Sequence, residues 1–139
     1  VKTLLLLTIT ATNLLAGQTV DDKKAPREIA VQEFRFVHPG RGQATTPVRI
    51  DKAEQLQAVL LDAEQRKALL EKVDLQKDYL LLFRWSGSGQ DQIRVTAIQG
   101  KQGPEVAITY QRGLTRDLRQ HVKLFAVPRT ITYHPTDSK

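Results

Sequence analysis

The chain contains no cysteine. Disulfides, thiolate metal sites and a cysteine nucleophile are therefore excluded, and the apolar core alone must hold the fold. Aromatic residues are only 6% of the 139, and tryptophan occurs once, at Trp85. Histidine occurs three times, at His38, His121 and His134. These are scattered without the paired spacing of tetrahedral zinc sites, so no metal and no cofactor is expected. No run of five like charges occurs, which excludes a polyelectrolyte arm.

What is present suffices for one compact domain. Hydrophobic residues make up 40% of the chain, enough to build a core at this length. Lysine and arginine total 21 against 15 acidic residues, giving a formal net charge of +6. A basic surface favours acidic lipid, envelope polyanions, acidic protein faces or nucleic acid, unless the charge serves solubility alone.

Lys2 followed by Leu4–Leu7, Ile9, Ala11, Leu14, Leu15 and Ala16 has the form of a secretory signal. The run is shorter than the roughly 20 apolar residues a spanning helix needs, so no stable span is expected once it is cleaved. Retention as an anchor is the alternative. Residues 1–17 are thus expected to be a signal, 18–27 a flexible leader, 28–133 one domain and 134–139 a tail. An exported setting (periplasmic, cell-surface or secreted) argues against nucleic acid as partner.

Within the domain, Glu28–Val37 alternates as far as Val31 and changes face at Phe34, which predicts a strand with a bulge or bend. His38–Gln43 carries proline and two glycines and predicts a turn. Val48 and Ile50 form a short strand. Asp51-Lys52-Ala53-Glu54 has the form of a capping box. Behind it, Leu56, Val59, Leu60 and Ala63, then Leu69, Leu70 and Val73, fall at helical spacing. One bent helix or two short ones over 51–73 both fit, and Arg66 and Lys67 interrupt the stripe in favour of a break near Asp62.

Tyr79–Val95 predicts a central hairpin: Leu80–Phe83 and Trp85, a Ser86–Gly89 turn, then Ile93 and Val95. Glu105–Gln111 and Val122–Val127 predict further strands, with Pro128 ending the last, and Ile131 and Tyr133 close the domain. The expectation is an α+β fold with a mainly antiparallel sheet of about five to six strands.

Two polar stretches are candidates for function. In the first, Trp85, Ser86, Ser88, Gln90 and Asp91 surround two glycines. Such a turn can aim backbone N–H groups at a carboxylate or phosphate, or can simply be a hairpin loop. Trp85 is either an exposed platform or a core residue capping the sheet. Gln90 and Asp91 can fix the turn through side-chain-to-backbone bonds. The second holds Arg112, Arg116, Asp117, Arg119 and His121 within ten residues. Guanidiniums grip anionic groups through paired hydrogen bonds, and Asp117 can orient one of them or bridge to His121. The alternative is a solvated loop pinned by an Arg–Asp pair.

A serine hydrolase can be drawn from Ser88 and His121 with Asp117 or Asp91. Gly87-Ser88-Gly89 is not a nucleophile elbow, however, because the glycines stand one position from the serine and the context is strand–turn–strand. A protease-inhibitor-like module is a further alternative, and its mark would be a protruding Trp85 turn. The preferred reading is a non-catalytic exported accessory or binding domain that meets a protein or an anionic envelope partner.

Val73-Asp74-Leu75-Gln76-Lys77-Asp78-Tyr79-Leu80-Leu81-Leu82-Phe83, followed by Ser86-Gly87-Ser88-Gly89-Gln90-Asp91 and a strand, resembles the C-terminal domain of PrcB-type protease-complex proteins over about residues 49–133. The resemblance implies a small exported α+β domain that supports a surface protease complex. It implies no activity.

Overall fold

A computed structural model of the chain describes residues 24–38 and 46–135. The expected signal segment, most of the leader and most of the His38–Gln43 turn lie outside the described residues. The fold is α+β and mostly antiparallel. Its strands are β1 (Arg27–Ile29), β2 (Val48–Ile50), β3 (Asp78–Ser88), β4 (Gln92–Gly100), β5 (Gly103–Gln111) and β6 (Leu118–Pro128). A 3-10 helix, Ala53–Ala58, and the α-helix α1, Ala63–Lys72, lie between β2 and β3.

The strands form two sheets: one in the order β1-β6-β3-β2, the other a β4-β5 ribbon. β3 and β6 are the long inner pair, in antiparallel register from Asp78↔Pro128 to Ser88↔Leu118. Both their faces are covered. Leu80, Leu82, Leu124 and Ala126 point into one core with Ile29, Ile50, Leu56, Leu60 and Leu69. Tyr79, Leu81, Phe83, Trp85, Phe125 and Val127 point into a second core with Ile93 and Val95 of the ribbon. Successive side chains of a strand alternate faces, so a strand buried on both sides has no polar positions to show. The unbroken apolar run Tyr79–Phe83 follows from this.

Sequence and structure part at several points. The predicted hairpin over Tyr79–Val95 does not pair: β3 and β4 belong to different sheets, and the chain crosses between layers at Gly89–Asp91. The hairpin is one strand later, β4–β5, with its turn at Lys101–Gln102 and Gly103 at φ +123°. That is the only positive φ among the described residues. The Glu28–Val37 strand is also shorter than expected. β1 begins at Arg27, inside the expected leader, and ends at Ile29. A turn closed by Phe34 N–H on the Val31 carbonyl (3.0 Å) then re-aims Phe34 into the core, and Phe36 bridges to Leu60.

The helical segment is two short pieces, broken at Asp62. The Asp62 carboxylate accepts from the Glu64 (2.8 Å) and Gln65 (3.2 Å) amides and caps α1. Arg66, the residue that interrupts the stripe, donates to the Leu60 and Leu61 carbonyls and so satisfies the end of the preceding segment. The expected capping box is shifted by one residue. Gln55, not Glu54, reaches back to the Asp51 and Lys52 amides, because the Asp51 carboxylate is taken by Arg49 and Arg129. Leu56, Val59, Leu60, Leu69 and Val73 are buried as expected, while Leu70 and Ala63 are exposed.

Beyond β6, Ile131 and Tyr133 are buried and close the domain. Thr132 pairs with the ribbon through its amide on the Pro104 carbonyl and its carbonyl on the Val106 amide, each at 2.9 Å. Among the described residues no helix is long and apolar enough to cross a membrane.

Candidate functional site

The two polar stretches, about thirty residues apart in the chain, meet at one end of the β3–β6 pair. The register places Trp85 opposite His121 and Ser88 opposite Leu118. Ser86, Gly87 and Ser88 are therefore strand rather than turn, and Leu118–His121 are strand rather than loop. The true corner is Gly89–Gln90, and the true loop is 112–117.

Asp91 organises the interior of this end. It is 7% exposed, and its oxygens accept three hydrogen bonds from three different segments. Oδ2 accepts from Trp85 Nε1 (3.1 Å) and from the Tyr110 hydroxyl (2.9 Å). Oδ1 accepts from the Gly113 amide (2.8 Å). Burial pushes its pKa up, but the Gly113 amide, the Tyr110 hydroxyl and the Trp85 indole outweigh burial and hold it below the ordinary carboxylate value. Burial, and then the bond to the Asp91 carboxylate and its charge, push the Tyr110 phenol up. Asp91 thus ties the start of the ribbon, its end and the tip of β3 into one unit. Gly87 makes room for it: a Cβ there would collide with Asp91 Oδ2. The glycine serves close approach, not a left-handed backbone.

Trp85 is 1% exposed. Its ring stacks on His121 with centroids 4.7 Å apart and planes 14° from parallel. His121 Nε2 lies 2.7 Å from the Ser88 carbonyl oxygen. A carbonyl only accepts, so Nε2 carries the hydrogen and donates. The platform reading of Trp85 is therefore corrected: it is the core residue at the sheet end, and neither it nor Asp91 presents its side chain to a partner.

The backbone donors of the corner are already used. Gly89 N–H donates to Asp117 Oδ1 (3.1 Å), Gln90 N–H to Ser88 Oγ (3.3 Å) and Asp91 N–H to the Ser88 carbonyl (3.0 Å). The anion expected in a nest of amides is the chain's own Asp117 carboxylate. The Thr115 hydroxyl, the Gly89 amide and Arg119 depress the pKa of Asp117 to about 2. Arg119 Nε lies 2.6 Å from Asp117 Oδ2, so Asp117 pairs with Arg119 and does not bridge to His121. Asp91 fixes the loop through the Gly113 amide, as expected of a side-chain-to-backbone bond. Gln90 is exposed, and its contribution is its backbone N–H rather than its side chain.

Ser88 Oγ faces the Thr115 hydroxyl at 2.6 Å, while the His121 ring is engaged by the Ser88 carbonyl and by Trp85. No bond joins the serine hydroxyl to the imidazole, so the geometry lends a serine–histidine dyad no support. Among the described residues no group of three His, Asp or Glu side chains is placed to hold a metal ion.

The exterior of this end is a cleft of about 870 Å³ whose walls include Ser86, Gly87, Tyr110, Arg112, Arg116 and Leu118. Arg112 and Arg116 are exposed and make no ion pair among the described residues. Tyr110, Gly113, Leu114, Thr115 and Leu118 were not singled out in the sequence. Tyr110 was the legible one, since it ends the Val106–Ile108–Tyr110 alternation two residues before Arg112. Thr115 and Gly113 carry no local signal, because their partners lie more than twenty positions away in the chain. Comparison of the chain with family models, with curated proteins and with solved structures returns no match.

Proposed function

We propose that the protein is a non-catalytic accessory or binding domain, exported through its N-terminal segment, whose Arg-bearing loop and adjoining Gly/Ser corner meet a protein or an anionic envelope partner. The observation that carries this reading is the division of labour at one end of the sheet. Asp91, Asp117, Thr115 and the corner amides satisfy one another inward. Arg112 and Arg116 are left outward beside an open cleft, without an acidic neighbour in contact. A free guanidinium on a preorganised loop is suited to carboxylate or phosphate groups. The inhibitor-like alternative gains nothing from a Trp85 that is buried. The resemblance to PrcB-type C-terminal domains accords with an exported accessory role and is part of the proposal.

The test is sedimentation of the purified protein with envelope fractions. Arg112→Glu combined with Arg116→Glu should abolish co-sedimentation, while far-UV circular dichroism and Trp85 emission keep the wild-type form. Undiminished co-sedimentation of that folded variant would discard the reading.

A further inference from the structure

The segment from Arg112 to Arg119 is tethered by every second residue. Gly113 bonds Asp91 through its amide, Thr115 bonds Ser88 through its hydroxyl, and Asp117 accepts from the Gly89 amide and from Arg119. The side chains between them, those of Arg112, Leu114, Arg116 and Leu118, make no hydrogen bond or ion pair among the described residues. Leu114 is 94% exposed and Leu118 80%, the two most exposed large apolar side chains among the described residues. Aliphatic side chains held almost wholly in water on an otherwise anchored strap mark a surface that is covered in use. The strap therefore displays two leucines interleaved with two free arginines, and Arg119 follows.

From this geometry we infer that the strap docks on an anionic lipid surface, with Leu114 and Leu118 entering the headgroup–acyl boundary and Arg112 and Arg116 contacting lipid phosphates. The inference rests on the binding-domain reading above and names its partner. Charge complementarity favours it: three arginines against one aspartate on the strap, on a chain of net charge +6. The composition also separates lipid from protein. Protein-binding hot spots are rich in aromatics seated in pockets and poor in leucine, whereas the strap has no aromatic residue. Interleaved apolar and cationic side chains are what an interfacial lipid anchor requires.

The experiment uses the absence of native cysteine. Single substitutions Leu114→Cys, Leu118→Cys and, as control, the exposed Leu61→Cys of the helical side are made in the full chain and labelled with an environment-sensitive fluorophore. Each is mixed with phosphatidylcholine vesicles, with or without about one-third phosphatidylglycerol. Labels at 114 and 118 should shift to the blue on the anionic vesicles only, and the label at 61 should not. Arg112→Gln and Arg116→Gln should each weaken vesicle binding about fivefold, and added salt should weaken it further. Leu114→Ser with Leu118→Ser should weaken it at least tenfold, by roughly the loss of two buried aliphatic side chains. The side chains of these four residues hold nothing in place, so Trp85 emission should be unchanged in every variant.

Vesicle binding with the labels at 114 and 118 still in water overturns the inference, because another part of the chain then carries the contact. Absence of binding overturns it too, and so does equal binding to neutral vesicles. If arginine-dependent co-sedimentation with envelopes survives while lipid binding is absent, the partner is a protein and the binding-domain reading stands. If the Arg112→Glu, Arg116→Glu pair leaves co-sedimentation untouched, both fall.

Discussion

Gly87 and Asp91 are coupled through space rather than through sequence, and the coupling has a size that can be worked out. In Gly87→Ala the new methyl group collides with Asp91 Oδ2 and forces the carboxylate to turn. The bonds at risk are those from Trp85 Nε1 and the Tyr110 hydroxyl. A hydrogen bond to a charged group contributes about 1.5–3 kcal/mol, and a buried donor left alone costs about 1–3 kcal/mol. The half-buried Tyr110 hydroxyl can turn to water, but the Trp85 indole N–H cannot. Alanine itself is favoured over glycine in a strand by roughly 0.5–1 kcal/mol. Gly87→Ala should therefore destabilise by about 2–3 kcal/mol net.

Asp91→Ala loses the Gly113 bond as well and should cost about 3–5 kcal/mol. In the double variant the collision is gone. The methyl then meets only Trp85 Cδ1, at 3.3 Å. The second substitution should be close to neutral there, giving a coupling energy of about 2–3 kcal/mol. Urea unfolding followed by Trp85 fluorescence and by circular dichroism measures all four corners of the cycle. The single tryptophan sits in the network under test, so its emission should shift to the red in both single variants. Additivity within about 0.5 kcal/mol would refute the close-approach account of Gly87.

Two further outcomes follow from groups described above. Asp117 has its pKa depressed from 3.8 to about 2, first by the Thr115 hydroxyl and then by the Gly89 amide and Arg119. A depressed carboxylate contributes stability that is complete above its unfolded value and is lost as pH falls through its folded value. The Gly89 amide resonance should accordingly titrate with a midpoint near 2 and lose that transition in Asp117→Asn; a midpoint near the ordinary carboxylate value removes Asp117 as its partner. Gly103, at φ +123° with nothing near its Cβ position, isolates backbone strain from packing. Gly103→Ala should lower stability by about 1–3 kcal/mol in a urea melt, with no change in Trp85 emission.

Much of the fold is written in short-range patterns. The apolar run Tyr79–Phe83 and the alternation Val106–Ile108–Tyr110 mark strands because burial on two faces or one leaves that imprint directly. Asp62 marks a helix start because a cap acts over three residues. The layer change at Gly89–Asp91 is not legible in the same way. Serine and glycine in alternation look like a turn, yet here they extend β3, since Gly87 is selected by the Asp91 side chain and not by its own backbone angles. The candidate site shows the same limit. Its arginines and His121 stand out by type. That Trp85 would be sealed behind His121, and that Asp117 would fill the amide nest, depends on a β3–β6 register that joins residues about thirty positions apart.

The ribbon is fastened at both of its ends. Asp91 secures the end where β4 starts and β5 finishes, and Thr132 secures the stretch near the hairpin turn through Pro104 and Val106. A flap pinned twice cannot swing open like a lid; it can only flex between its pins or be torn off whole. A movement of the ribbon can then reach the arginine strap only as a twist carried along β5, and cutting the chain after Pro128 would turn the flap into a hinge.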